Sequence, residues 1–270
     1  MKIALDATPL IDAYGGIPRY VTELAAALAS GDPGDEIHLL SDQRELHLDP
    51  RLKSAPNVVL EPPSGPAFGG KWWSLGLPWD LRKRGVDVFH GTNFEVPYLP
   101  AVPSVLTLHD LSPWHEAPIR PEGSERVRRR APWLLKRARL VLTPSEAVRR
   151  EACMRFGLDA DRVEAIPHGI SRQAGEANPG LAGELGARPP FLLYLGAAGP
   201  RKNLDVTVEA WLAARRREPS LSFVLAGPGT ERFAGRHDGL LGLGTVSQPR
   251  AESLLATTAG FVYPSLYEGF

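Results

Sequence analysis

The stretch FLLYLGAAGPRKNLD, residues 191–205, decides the fold that this sequence predicts. The apolar run Phe191–Leu195 is typical of a buried strand, and residues 196–200 then break it with a turn. A helix is expected from Leu204 to about Arg217. A strand that passes through small residues into a helix leaves backbone N–H groups free at the turn, where they and the helix dipole attract an anion.

Arg201 and Lys202 add two cations at this turn. Two adjacent cations suit a diphosphate better than a single carboxylate group. The residues alone leave an alternative open, in which the pair is a solvated charge cluster at an ordinary helix start.

Composition limits the possible partners and the cellular compartment. The chain has 270 residues, with 31 basic and 31 acidic side chains, so one or two domains fit and nucleic acid is not an expected partner. No apolar run of about 18 residues occurs, so no membrane span is expected. The start MKIALDATPLID lacks a secretory pattern. Cys153 is the only cysteine, which excludes an intrachain disulfide and favours the cytoplasm.

Short apolar runs alternate with helical patterns along the whole chain, which predicts an α/β protein with parallel sheets. The TPSE sequence at residues 143–146 predicts a helix start capped by Thr143. Residues 171–190, rich in Gly, Ala and Pro, form the candidate linker. We therefore expect domains at residues 1–180 and 181–270, with ligands bound at the carboxyl ends of the strands.

Further motifs stand at predicted strand ends. Gly15 and Gly16 follow the first strand, but the absence of GxGxxG argues against a dinucleotide enzyme. GPAFGGK at residues 65–71 is close to a phosphate loop, yet the next residue is a tryptophan rather than the required Ser or Thr, so that interpretation is rejected. His109 and Asp110 end another strand, where they either contact a sugar hydroxyl or a developing charge, or stabilise a turn.

Residues 126–139 form a basic stretch in which Trp133 and two leucines are interleaved. This pattern predicts either an interfacial helix on anionic lipids or an ordinary amphipathic helix with a charged outer face. Both interpretations stay open at the level of the sequence.

Taken together, these motifs resemble retaining glycosyltransferases of the GT-B fold, within the large GT4-type family. The segments that carry the resemblance are, in chain order, YGGIPRY, HGTNFEVP, LTLHDL, LTPSEAVRRE, VEAIPHGI, FLLYLGAAGPRKNL, FVLAGPG and FVYPSLYEGF. They cover essentially the whole chain, and the last three are the most specific. The resemblance implies two Rossmann-like domains that flank a cleft, the C-terminal one holding a nucleotide-sugar and the N-terminal one the acceptor.

The resemblance also implies roles for individual residues. The implied catalytic residues are His109, Lys202 and Glu268. The implied donor-binding residues are Gly15, Gly16, Gly196, Arg201, Lys202, Gly227, Glu268, Gly269 and Phe270. The implied acceptor-binding residues are Arg19, Tyr20, Asn93 and Asp110. No cofactor and no obligatory metal are expected, because the two cations neutralise the leaving diphosphate.

The implied reaction is a front-face substitution that retains the configuration at the sugar. A hexosyl or deoxyhexosyl unit passes from a GDP- or UDP-sugar, with GDP-mannose favoured, to a saccharide or lipid-linked acceptor in bacterial polysaccharide biosynthesis. A GT-B epimerase is disfavoured by the transferase-like ending of the chain. The expected location is the cytoplasm, with the inner face of the membrane as an open alternative.

The sequence departs from the family pattern in two ways. The second glutamate of the Glu-x7-Glu motif would lie beyond residue 270, and Ala197 and Ala198 follow Gly196 where some members carry an arginine. We therefore expect an incomplete second domain, as in a shortened chain, a proteolytic fragment or a product completed by another chain. The alternative to an enzyme is a non-catalytic fragment that binds only the acceptor or a partner chain.

Overall fold

The computed structural model describes residues 1–43, 45–60, 62–63, 70–170, 177–178, 180–187 and 190–270. The chain divides by its internal contacts into two compact units. The first contains Met1–Trp114, Glu122–His168 and Gly269–Phe270, and the second contains His115–Pro121 and Gly169–Glu268. Most of the glycine-rich stretch 65–71 and much of the candidate linker lie outside the described residues, so the domain boundary at residue 180 stays a prediction.

The first unit is built on a seven-stranded parallel sheet. Its strands are β1 (Lys2–Asp6), β2 (Glu36–Leu40), β3 (Val58–Val59), β4 (Val88–Gly91), β5 (Ser104–Thr107), β6 (Leu140–Thr143) and β7 (Val163–Ala165). Their order across the sheet is β3-β2-β1-β4-β5-β6-β7. The winding direction therefore reverses between β1 and β4, which is where ligands bind in doubly wound sheets.

Helices supply the crossovers that parallel strands need. The α-helices described in this unit are α1 (Gly16–Gly31), α2 (Pro50–Ser54), α3 (Leu77–Arg84), α4 (Glu125–Arg137) and α5 (Glu146–Phe156). Val21 and Ala25, about one turn apart on α1, share a buried core with Leu5 of β1 and Ile37 of β2. Within the described ranges, no helix has the length and apolar character needed to cross a membrane.

The start of α5 differs from the prediction by two residues. Ser145, rather than Thr143, caps the helix, because the Ser145 hydroxyl accepts a hydrogen bond from the backbone N–H of Val148. Thr143 is still the last residue of β6, and its hydroxyl donates to the Ser145 carbonyl at 3.2 Å. The strand therefore extends one residue further than the capping pattern suggests.

The second unit is built on a four-stranded parallel sheet with the order β10-β9-β8-β11. Its elements are α6 (Leu181–Leu185), β8 (Phe191–Leu195), α7 (Leu204–Arg215), β9 (Ser222–Ala226), β10 (Leu240–Gly242), α8 (Gln248–Thr257) and β11 (Gly260–Phe261). Alternate residues of β9 point to opposite faces, so Phe223 shares a core with Trp211 of α7, and Val224 shares one with Leu254 of α8. The prediction of an α/β protein with parallel sheets is confirmed.

The carboxyl end of β4 makes a tight turn on itself. A Cβ atom added to Gly91 would lie 1.7 Å from the carbonyl oxygen of Glu95, which no side chain tolerates. Phe94, inside this turn, has a positive φ of 63°. The glycine is therefore required by the close approach of two backbone segments.

Asp6 ends β1 inside the protein, with 3% of its surface exposed. Its Oδ1 accepts a hydrogen bond from the backbone N–H of Thr8 at 3.0 Å. Burial raises the pKa of the Asp6 carboxyl to about 6, and the negative charges of Glu95 and Asp42 act in the same direction, while the hydrogen bonds from Thr8 oppose them.

Substitution of Gly91 by Ala should lower the free energy of unfolding by about 1–3 kcal/mol, because the backbone must move to make room for the methyl group. Gly31→Ala, at the end of α1 with no atom within 4 Å of the added Cβ, serves as the control and should be neutral or slightly stabilising. Urea unfolding of both variants measures the difference. Equal stability of the two would contradict the steric argument.

Asp6→Asn should change how stability depends on pH. A carboxyl whose pKa is raised on folding destabilises the protein once it ionises, so wild-type stability should fall as pH rises from about 4 to above 6. The asparagine variant cannot ionise there, and its stability relative to wild type should increase by about 1–2 kcal/mol between pH 5 and pH 8. Unfolding free energies measured at several pH values test this, and parallel curves for the two proteins would refute it.

Candidate functional site

The turn after β8 carries a compact group of charges in the second unit. Lys202 Nζ lies 2.5 Å from Glu268 Oε1, and Arg201 Nη1 lies 2.8 Å from Glu268 Oε2. Lys202 Nζ also donates to the hydroxyl of Tyr263 at 2.5 Å and lies 4.5 Å from the centre of the tyrosine ring. These four residues are called the Glu268 cluster below.

The Glu268 cluster is only partly accessible to solvent. The side chains of Lys202, Arg201 and Glu268 are 12%, 21% and 30% exposed. Burial raises the pKa of the Glu268 carboxyl, but hydrogen bonds from Lys202, Ser265 and Arg201 outweigh it and bring the pKa below its ordinary value. Glu268 is therefore a carboxylate at neutral pH, and it neutralises one of the two positive charges.

The backbone around the cluster is a 3-10 turn rather than the first turn of a helix. This turn spans Pro200–Lys202, Asn203 takes a left-handed conformation with φ of 56°, and α7 begins only at the next residue. The two cations therefore precede α7 and reach Glu268 from the turn.

Gly196 and Gly227 bring the carboxyl ends of β8 and β9 into backbone contact. A Cβ atom added to Gly227, whose φ is 127°, would lie 2.2 Å from the Gly196 carbonyl oxygen. A Cβ atom on Gly196 would lie 3.7 Å from Cε2 of Tyr263. The two predicted donor-binding glycines thus lie together, and Gly196 borders the Glu268 cluster.

A second group of side chains lies at the carboxyl edge of the first sheet. The ring centre of Tyr20 is 5.0 Å from that of His109 and 4.8 Å from that of His168, and the two imidazoles are 5.6 Å apart. Tyr20 comes from α1, while His109 follows β5 and His168 follows β7. These three residues are called the ring cluster below.

A backbone contact fixes the protonation of His109. Its Nε2 lies 2.8 Å from the carbonyl oxygen of Thr92, and because a carbonyl only accepts, Nε2 must carry the proton. Burial lowers the pKa of His109, and the nearby His168 also lowers it, against the opposing effects of the Thr92 hydrogen bond and Asp110. His109 is therefore a neutral imidazole at pH 7, and its Nδ1 is an acceptor.

The glycine loop after β1 lies at the start of α1. Gly15 is the residue before the helix, with φ of 134°, and Gly16 is the first helical residue. Arg19, one turn into α1, is exposed to solvent. None of these three residues belongs to the Glu268 cluster or to the ring cluster.

Asn93 and Asp110 occupy different environments. The Oδ1 atom of Asn93 is buried and has no hydrogen-bond partner among the described residues. Asp110 Oδ1 instead accepts hydrogen bonds from the backbone N–H of Ser112 at 2.9 Å and from its hydroxyl at 2.7 Å. Asp110 thus stabilises a turn, which was one of the two interpretations of its sequence context.

Gly269 and Phe270 belong to the first unit, although the resemblance groups them with Glu268. The Ser145 hydroxyl donates to the Gly269 carbonyl at 2.7 Å, and a Cβ atom on Gly269 would lie 2.0 Å from the His109 carbonyl oxygen. Phe270 stacks on His168 with ring centres 5.5 Å apart. Their contacts are therefore with the ring cluster.

Two residues of these clusters had no role assigned from the sequence. Tyr263 lies in FVYPSLYEGF and His168 in VEAIPHGI, so the motifs were noticed but the contacts of these side chains were not predictable. In the part of the chain that the structure describes, no three His, Cys, Asp or Glu side chains are grouped so as to hold a metal ion.

Comparisons with known proteins agree on the family of this chain. The family model of Glycosyltransferase Family 4 matches residues 14–174. The O-antigen chain mannosyltransferase B of Escherichia coli is 30% identical over 313 aligned positions, which include all of this chain and 78% of that protein.

Solved structures share the fold at lower identity. The Anabaena protein Alr3699/HepE, in complex with UDP-glucose, superposes with a TM-score of 0.68 at 17% identity and covers 100% of this chain and 75% of its own. Sucrose-phosphate synthase of Thermosynechococcus elongatus gives a TM-score of 0.65 at 19% identity, with 100% and 76% covered. The predicted GT-B fold is confirmed by these likenesses together with the two parallel sheets. The chain is a glycosyltransferase, and it belongs to glycosyltransferase family 4.

Proposed function

We propose that this protein transfers a hexosyl or deoxyhexosyl unit, with mannose favoured, from a nucleotide-diphosphate sugar to a saccharide or lipid-linked acceptor in bacterial polysaccharide biosynthesis. The mannosyltransferase relative supports mannose and therefore a GDP-sugar, whereas the Anabaena neighbour was solved with UDP-glucose. Residues 181–270 bind the donor and residues 1–180 bind the acceptor in this proposal.

The observation that carries the proposal is the Glu268 cluster at the carboxyl end of β8. Arg201 and Lys202 outweigh the charge of Glu268 there and leave a net positive charge beside Gly196, which is in close backbone contact with Gly227. A diphosphate presents several negative oxygens and suits such a group of donors. Binding of the diphosphate then requires that it replace Glu268 as the counter-ion of the two cations.

The proposed reaction needs little covalent chemistry from the protein. The bond between the sugar C1 and the diphosphate oxygen breaks, a bond to the acceptor hydroxyl forms on the same face, and the hydroxyl proton passes to an oxygen of the leaving diphosphate. Arg201 and Lys202 stabilise the charge that develops on that group, which is commonly the largest electrostatic contribution in such sites. Glu268, once released from the cations, faces the sugar and its developing positive charge.

The acceptor side of the proposal rests on residues of the first unit. The Oδ1 of Asn93, which is buried without a partner among the described residues, gains a hydrogen bond when an acceptor hydroxyl donates to it, and this relieves a desolvation penalty of about 1–3 kcal/mol. Arg19 is exposed on α1 and free of the two clusters, which supports a contact with a polar acceptor. Gly15 and Gly16, which have no side chain, let the donor phosphate or the acceptor approach the backbone.

Lys202→Ala should weaken the binding of GDP or UDP about 10- to 100-fold, because a charge-assisted contact worth roughly 1.5–3 kcal/mol is lost. Glu268→Gln should instead tighten nucleotide binding roughly 3- to 10-fold, since a competing carboxylate is removed, while turnover falls. Calorimetric titration with GDP and UDP, alongside a turnover assay with their sugars, measures both effects.

Arg216→Ala, an exposed cation beyond the end of α7, is the matched control and should leave nucleotide affinity unchanged. A folded protein that binds neither nucleotide would contradict the donor site and favour the acceptor-only alternative. Weaker binding by Glu268→Gln would contradict the counter-ion role of Glu268.

A surface of the first unit supports a second proposal, on where the reaction takes place. Trp79 of α3 and Trp133 of α4 are each about half exposed, and Leu99 is 50% exposed. Tyr98 connects α4 with the turn that precedes α3, since its N–H donates to the Trp73 carbonyl at 2.8 Å and its ring lies 5.9 Å from Trp133.

Cations flank both exposed tryptophans at helical spacing. On α3, Trp79 is followed by the exposed Arg82 and Lys83, three and four residues later. On α4, the exposed Arg129 and Lys136 lie four residues before and three residues after Trp133. We propose that this aromatic and basic surface holds the enzyme on the anionic inner leaflet of the membrane, where tryptophan and basic side chains are favoured.

The double variant Arg129→Glu/Lys136→Glu should bind vesicles of phosphatidylglycerol and phosphatidylcholine at least about 10-fold more weakly, at roughly 1 kcal/mol per charge near the surface. Trp79→Ala/Trp133→Ala should also weaken binding. Co-sedimentation measures both, with Arg216→Glu/Arg217→Glu on the second unit as the charge-matched control. Binding that is unaffected by the α4 reversal, or equally affected by the control, would reject this surface as the membrane contact.

A further inference from the structure

Tyr20 has its hydroxyl engaged inside the protein. The hydroxyl lies 2.9 Å from Oγ1 of Thr107, and that same Oγ1 lies 2.7 Å from Nε2 of His90. Thr107 and His90 are both buried, with 1% and 7% of their surfaces exposed. A threonine hydroxyl has one proton and two lone pairs, so it satisfies both partners at once.

His90 is a neutral group at the end of this series of hydrogen bonds. Burial lowers the pKa of His90 to about 4, and the nearby His109 acts in the same direction, so the imidazole is uncharged at neutral pH. The hydrogen bonds from His90 through Thr107 to Tyr20 therefore hold the tyrosine in place, and the imidazole at their end carries no charge.

The carboxyl end of β4 and the residue that follows it support the ring cluster at two points. His90 anchors Tyr20 through Thr107, and Thr92, two residues later, accepts the hydrogen bond from His109. The Thr92 hydroxyl is itself fixed, because it donates to the Asp6 carbonyl at 2.7 Å. Both anchors thus come from the HGT sequence at residues 90–92.

His109 then lies between a fixed hydrogen bond and a fixed ring. Its Nε2 is held by Thr92, and Tyr20 meets its ring at 88°, an edge-to-face arrangement. His168 contacts both Tyr20 and His109, and is itself stacked on Phe270.

We propose that Tyr20 and His168 are positioning residues that hold the His109 ring in one orientation and one tautomer, with Nδ1 kept as an acceptor for a sugar hydroxyl. Tyr20 then acts through His109 and not by binding the acceptor with its own hydroxyl. The link to a sugar hydroxyl rests on the proposed function, whereas the orientation of His109 does not.

His168→Ala and His168→Phe separate ring packing from every other role of this side chain. The alanine variant removes the ring, so His109 should show mixed tautomers in long-range ¹H–¹⁵N spectra of the imidazole, and kcat should fall about 10-fold or more. The phenylalanine variant keeps a ring in place, so it should restore the single Nε2–H tautomer and most of the turnover. Affinity for GDP and UDP should be unchanged in both, since the Glu268 cluster is intact.

Tyr20→Phe and Thr107→Val test the anchor in the same way. Both leave the tyrosine ring or its equivalent present but remove the hydroxyl contact, so each should broaden or split the His109 signals and lower kcat without changing nucleotide affinity. The same spectra follow the titration of His109. The titratable groups around it are Asp110, His90, His168 and Tyr20.

Two results would overturn the inference. One is a His109 tautomer and kcat that His168→Ala leaves at wild-type values, and the other is equal impairment by the alanine and phenylalanine variants. A wild-type protein that fails to turn over any nucleotide sugar, while His168→Ala still disturbs the His109 spectrum, would reject the proposed function and leave the positioning role standing.

Discussion

Parallel pairing around the first strand of each unit is the constraint on which the rest of the structure depends. β1 pairs with β2 on one side and β4 on the other, and β8 pairs with β9 and β11. Crossovers on the two sides of such a strand run in opposite directions, so the loop after it is not covered by a neighbouring connection. The glycine loop follows β1, and the turn with Lys202 follows β8, so both lie where ligands bind in doubly wound sheets.

Charge is handled differently at these two edges. In the second unit the cations are largely shielded from solvent and therefore need a counter-ion, which Glu268 supplies through direct contacts. In the first unit the two buried imidazoles are neutral, because burial lowers the pKa of His109 and of His90. The first arrangement suits a ligand with several negative charges, and the second suits uncharged hydroxyl groups.

Local sequence was enough to predict what depends on neighbouring residues. Hydrophobic periodicity and glycine turns predicted the strands and their alternation with helices. The sequence itself places Arg201 and Lys202 at the turn after β8. The pairing of Lys202 with Glu268 spans 66 residues and depends on where β11 brings the chain back, so no local pattern contains it. The cap at Ser145 instead of Thr143 was missed for the opposite reason, since strand pairing extended β6 over a residue whose own preference favours capping.

For the proposed reaction, the ion pairs of Glu268 have a kinetic consequence. Two cations without a counter-ion would bind a leaving diphosphate tightly and release it slowly. This slow release would limit the rate of each catalytic cycle. Glu268 belongs to the same unit, so it pairs with both cations again as soon as the product leaves. Its effective concentration at the cations is higher than that of any free anion in solution. In the proposed reaction the protein thereby has its own means of product release, and the same carboxylate discriminates against weakly charged anions that cannot displace it.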